Sequence, residues 1–100
     1  MLGGLVARRR KNWAFLRAAG NAIGSEYEGM SYEELQRPAE ELSTERVIEG
    51  VRVFFSAEAY ETKPNGDLCV CVDVDAALPT LLGVKPSYHF YKRPDGSVYY

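Results

Sequence analysis

The stretch ETKPNGDLCVCVDVDA, residues 61–76, contains a turn and the run that follows it. From Leu68 onward the apolar residues recur at every second position. Leu68, Val70, Val72 and Val74 share one parity; Cys69, Cys71, Asp73 and Asp75 share the other. Side chains alternate across a strand, so this is a strand with one face in a core and the other toward water. One-sided strands of this kind belong to antiparallel sheets, whose neighbours are joined by short turns. Lys63-Pro64-Asn65-Gly66-Asp67 supplies such a turn: proline presets φ to about −65°, and glycine takes the positive φ that closes a three-residue loop with a bulge.

The register of this hairpin has two readings. The bulged turn pairs Lys63 with Asp67, which sets Val72 opposite Glu58 and Asp73 opposite Ala57. A two-residue turn pairs Pro64 with Asp67, which sets Val72 opposite Ala59 and Asp73 opposite Glu58. Proline has no N–H to close the second turn, whereas face matching favours it. The bulged reading is adopted, with local irregularity absorbing the mismatch.

Working outward, the turn chemistry recurs in Arg93-Pro94-Asp95-Gly96-Ser97. It joins PSYHFYKR to SVYY and predicts Arg93 opposite Ser97, Lys92 opposite Val98, Tyr91 opposite Tyr99 and Phe90 opposite Tyr100. Neither turn matches a glycine-rich phosphate loop, so the likeness is one of turn chemistry. Upstream, residues 44–60 also alternate. Val47, Val51, Val53, Phe55, Ala57 and Ala59 share a parity, and Glu49 is the exception. Four strands are expected.

The N-terminal half is helical. At 100° per residue Trp13, Leu16, Gly20 and Ile23 fall on one arc, with Arg9 in its middle. A charge there predicts a core helix from Asn12 to Ile23, stopped at Gly24 and preceded by a flexible basic arm over residues 1–11. In GMSYEEL, Ser31 and Glu34 form a capping box, with Met30 and Leu35 as its staple, so residues 31–36 begin a second helix. Pro38 ends that helix or begins a further turn through Leu42. The expected fold is therefore α+β, a single domain over residues 1–100 with one or two N-terminal helices packed on an antiparallel meander of about four strands.

Composition limits the function. One hundred residues with 46% hydrophobic and 26% charged residues describe one globular domain. The net charge of −2 gives no reason to expect a nucleic acid partner. No apolar run reaches the length of a membrane span. Cys69 and Cys71 lie too close in sequence to staple a fold, which favours a reducing, cytoplasmic setting. The charge is segregated: residues 1–25 carry Arg8, Arg9, Arg10, Lys11 and Arg17 with no acid, while residues 26–49 carry eight glutamates against Arg37 and Arg46.

No complete catalytic set is present. The strand face Cys69, Cys71, Asp73 and Asp75 mixes soft and hard ligands, but His89 is the single histidine; no metal and no cofactor is expected. The candidate ligand-binding residues are His89, Tyr60, Glu58 and Asp73, as the lining of a pocket between helix and sheet. The candidate anion-binding residues are Arg8, Arg9, Arg10 and Lys11, which face solvent or pair with the glutamate-rich segment. The C-terminal aromatics, Tyr88, Phe90, Tyr91, Tyr99 and Tyr100, stand beside Lys85, Lys92 and Arg93, where they build core or present a patch to a partner. The expected function is a non-catalytic interaction or regulatory domain, working with a protein partner or as a homodimer. The alternative is a small-molecule binder or enzyme using His89 and an acid.

Overall fold

The computed structural model describes residues 2–62 and 64–100, with the side chain of Leu2 left aside. A 27-residue helix, α1 (Leu2–Glu28), is followed by two single turns, α2 (Tyr32–Leu35) and α3 (Ala39–Leu42). Five strands follow: β1 (Thr44–Ile48), β2 (Val51–Glu61), β3 (Leu68–Ala76), β4 (Ser87–Lys92) and β5 (Val98–Tyr99). They form one antiparallel sheet in the order β1-β2-β3-β4-β5, with α1 packed on one face. A 3-10 turn, Leu81–Gly83, lies in the β3–β4 connection.

The architecture is the expected α+β, with five strands where four were expected. The run 44–60 is a hairpin. Glu49 and Gly50 both take positive φ, 50° and 80°, and turn the chain back so that Ile48 pairs with Val51. Two consecutive positive-φ residues form a type I′ turn, whose twist matches a two-residue hairpin. Glu49, the break in the alternation, marked the place. Because the chain reverses there, Val47 lies opposite Arg52 and is 68% exposed, away from the stripe to which its parity assigned it.

The β2–β3 register matches neither expected pairing. Thr62 N–H donates to the Asp67 carbonyl, and Glu61 pairs with Leu68, so the loop is one residue longer than the bulged turn. Lys63, on which the bulged reading rested, lies outside the described residues. The longer loop sets Val72 opposite Ala57, Val74 opposite Phe55 and Val70 opposite Ala59. Face matching therefore decides the register: the apolar stripes join, and the turn lengthens to allow it. Asp73 consequently faces Ser56, and Glu58 faces Cys71. The second hairpin has the expected register, with Tyr91 opposite Tyr99, Lys92 opposite Val98, and Arg93 N–H donating to the Ser97 carbonyl.

The core lies between α1 and the sheet. Leu16, Ile23 and Tyr27 of the helix meet Val53, Phe55, Val70, Val72, Val74 and Phe90 of the sheet, all buried. The helix extends beyond its expected limits at both ends. Gly24 does not stop it but lies buried inside it, where a Cβ would stand 2.2 Å from the Tyr88 ring. The glycine admits the ring to the helix surface. Glu28 ends α1. Its carbonyl accepts from Lys92 Nζ at 2.9 Å, and its carboxylate accepts from the hydroxyls of Tyr88 and Tyr100. A lysine on the last carbonyl satisfies one of the acceptors that a helix leaves open at its C-terminus. At the other end, Gly3–Lys11 are helical and exposed, apart from the half-buried Val6 and Arg9.

The capping box is present as expected. Ser31 Oγ accepts from Glu34 N–H and Glu34 Oε1 accepts from Ser31 N–H, both at 3.1 Å. Leu35 is fully buried, and Met30 packs against the core. Pro38 begins α3.

Candidate interaction face

Alternation gives every strand a second face, here turned away from α1 and bordered along β2 by α3. Across β2, β3, β4 and β5 it carries rows set by register. Tyr60, Cys69, Tyr91 and Tyr99 form one; Glu58, Cys71 and His89 form the next; Ser56, Asp73 and Ser87 form the third. Phe54 and Asp75 continue it, and Val47 adds an aliphatic group diagonal to Phe54.

The candidate ligand-binding residues all lie on this outer face. Tyr60, Glu58, Asp73 and His89 have the parity opposite to Phe55, Val72 and Phe90, so none of them faces the core between α1 and the sheet. That interface is filled by apolar side chains instead. The structure does bring the four together by register, with Glu58 and His89 flanking Cys71 on either side. Glu58, Tyr60, Cys71 and Asp73 line an open hollow of about 580 Å³, together with Ala39, Glu40 and Ser43 from α3 and its end. His89 borders a different hollow, of about 520 Å³, between the edge of β4 and Trp13, Arg17 and Asn21 of α1, so it alone of the four lies beside α1 and apart from the acids. Glu58 and Asp73 are diagonal neighbours and do not face each other directly.

The chemistry of the central row follows from burial. Cys71 Sγ lies 3.8 Å from Cys69 Sγ and 3.9 Å from the Tyr60 hydroxyl. Burial pushes the Cys71 thiol above its ordinary range. The attacking form of cysteine is the thiolate, so a thiol held protonated is a poor nucleophile even beside a histidine. Contacts with the Cys69 and Cys71 thiols likewise hold the Tyr60 hydroxyl above its ordinary range. Among the described residues, no three His, Cys, Asp or Glu side chains come together as a ligand set for a metal.

The face is partly apolar. Phe54 is 43% exposed and Tyr60 45%, in addition to Val47. Tyr91 and Tyr99 stack with ring centres 4.9 Å apart, and the Arg93 guanidinium lies 4.2 Å over Tyr99. The Tyr99 hydroxyl donates to Asp67 Oδ2 at 2.6 Å, which provides a partner for a carboxylate that is otherwise buried. Phe54, Val47 and Asp67 were not singled out from the sequence. The Glu49-Gly50 pair, had it been read as a turn, would have turned Val47 outward beside Phe54; no local signal identifies Asp67.

The basic residues stand apart from this face. Among the described residues the ion pairs are Arg46 with Glu26 and Arg52 with Glu45; of the two expectations for Arg8–Lys11, the solvent-facing one holds for Arg8, Arg10 and Lys11, which are helical and exposed, and pairing with the glutamate-rich segment is not formed. The cause is helix length: α1 runs unbroken and carries the two charge clusters to opposite ends. No helix among the described residues is long and apolar enough to cross a membrane. No protein-family model, curated protein or solved structure matches the chain.

Proposed function

We propose that this domain is a non-catalytic interaction module that acts as a homodimer through the outer face of its sheet. The observation that carries the proposal is the side-chain order along β2 on that face: Arg52, Phe54, Ser56, Glu58, Tyr60. A two-fold interface brings residue i of one copy to residue j of the other and j to i. An axis between Phe54 and Ser56 sets Arg52 of each copy beside Glu58 of its partner, with the exposed aromatic rings between and beyond them. Along β2 the surface is thus complementary to itself in both charge and apolar character.

The size is suitable. Strands spaced ~4.8 Å apart and rising ~3.4 Å per residue make a face of roughly 20 by 30 Å. That is of the order of the ~800 Å² each partner contributes to a standard interface. Exposed tyrosine and phenylalanine are residue types that such surfaces favour. The protonated state of Cys71 and the openness of the hollow beside it support a binding role over a nucleophilic one.

Sedimentation velocity over a dilution series tests this. The wild type should sediment as a dimer that dissociates on dilution. Phe54→Asp should sediment as a monomer with an unchanged circular dichroism spectrum, because the side chain projects from the covered core. A wild type that remains monomeric throughout, or a variant that dimerises equally well, would sink the proposal.

A further inference from the structure

The second surface of interest lies at the N-terminal end of α1, where it meets the β3–β4 connection. Asn12 Nδ2 donates to the Pro79 carbonyl at 2.9 Å and ties the loop to the helix. Beside this contact, Arg10, Trp13, Leu81 and Val84 line a hollow of about 300 Å³. Leu82, between the latter two, is 96% exposed, and Val84 is 55% exposed. Leu82 also takes φ 57° and ψ 18°, the left-handed region that bulky side chains rarely enter. The loop that holds it there is pinned. Thr80, 2% exposed, donates to the Val84 carbonyl at 2.6 Å, and Lys85 Nζ donates to the Leu78 carbonyl at 2.5 Å. A leucine held in solvent, in a strained conformation, by a bonded loop indicates a functional constraint.

The helix beside this hollow is cationic. Arg8, Arg10, Lys11 and Arg17 are exposed, and Arg17 lies 5.2 Å over the Trp13 ring. Residues 1–25 contain no acid, and neither does the segment 76–94, which contributes Lys85. The glutamates begin at Glu26, about 24 Å along the helix from Arg10 at ~1.5 Å per residue. The screening length at physiological salt is ~8 Å, so the net negative charge of the molecule does not cancel this end of it.

We infer that this end of the molecule docks on an anionic lipid surface. Leu81, Leu82 and Val84 enter the acyl boundary, Trp13 sits at the headgroup level, and Arg8, Arg10, Lys11 and Arg17 meet the phosphates. A lipid surface takes cations and aliphatic side chains together, which is the pattern of interfacial helices. A nucleic acid backbone would meet the cations but offers no place for an exposed leucine.

Flotation with phosphatidylcholine vesicles, with and without phosphatidylglycerol, tests the inference on the intact chain. Binding should require phosphatidylglycerol, weaken with added salt, and shift the Trp13 fluorescence to shorter wavelength. Leu82→Asp should weaken it about tenfold or more, as expected for one leucine kept out of an apolar phase. Leu82→Gly, which relieves the strained conformation and so keeps the fold, should weaken it as well. Gln36→Ala, exposed and outside both the patch and the dimer face, should bind like the wild type. Failure to bind anionic vesicles, or binding by either Leu82 variant as strong as that of the wild type, would overturn the inference. So would tight, Leu82-independent binding to duplex DNA or to an acidic polypeptide in preference to the vesicles.

Discussion

Gly24 shows how one missing methyl group sets the packing of a helix on a sheet. Alanine is the better helix former by about 1 kcal/mol, so Gly24→Ala would stabilise an isolated α1. In the folded molecule the added Cβ meets three atoms of the Tyr88 ring at 2.2–2.6 Å. The ring cannot withdraw freely, because its hydroxyl is bonded to Glu28. Overpacking of this kind costs about 1–3 kcal/mol and outweighs the propensity gain. Gly24→Ala should therefore lower the melting temperature. Gly4→Ala, where nothing lies within 4 Å, should leave it unchanged or raise it slightly. Equal melting of the two variants would mean that Tyr88 repacks without cost.

At the scale of elements, two short pieces carry weight out of proportion to their length. The capping box is the first. Ser31→Ala removes one of its two reciprocal bonds, at a cost of about 1 kcal/mol. For a domain of this size that is a fall of roughly 4–8 °C in the melting midpoint. An unmoved midpoint would show that α2 is held by Leu35 alone. The second piece is β5, two residues long, which stacks Tyr99 on Tyr91 and packs Val98 against the core. Its Tyr99 hydroxyl is bonded to the buried Asp67. Truncation after Asp95 removes those contacts, strips a partner from a buried carboxylate and bares the β4 edge. The shortened chain should melt well below the full one or aggregate on expression. If it melts at the same temperature and stays in solution, β5 is dispensable to the fold.

For the whole molecule, tyrosine hydroxyls link elements distant in sequence: Tyr27 to Leu42, Tyr32 to Gly66, Tyr88 and Tyr100 to Glu28. Burial raises Tyr27 and Tyr88 above the ordinary value of 10.0, and Glu28 raises Tyr88 further. A group whose folded value lies above its unfolded one contributes stability that is present below the unfolded value and lost as pH rises. Stability should therefore hold through neutral pH and fall above about pH 10, as the unfolded tyrosines ionise first. Urea titrations across that range would measure the slope, and Tyr88→Phe should make it shallower. An identical slope in the variant would remove Tyr88 from the account.

The amino-acid sequence by itself determined what depends on near neighbours. Leu68–Ala76 alternates, so it is a one-sided strand in any context that buries its valines. Ser31 with Glu34 caps a helix within four residues, and Arg93–Ser97 closes a hairpin whose ends lie side by side. Tertiary structure decided whatever required a partner far along the chain. The β2–β3 register followed the joining of two apolar stripes, at the expense of the turn that Pro64 favours locally. The fate of Gly24 depended on Tyr88, more than sixty residues away in sequence, and a glycine reads alike as a helix stop and as a packing site until that ring is placed. The arrangement of Glu58, Cys71 and His89 in one row required both registers at once, because a slip of one residue turns each side chain to the opposite face.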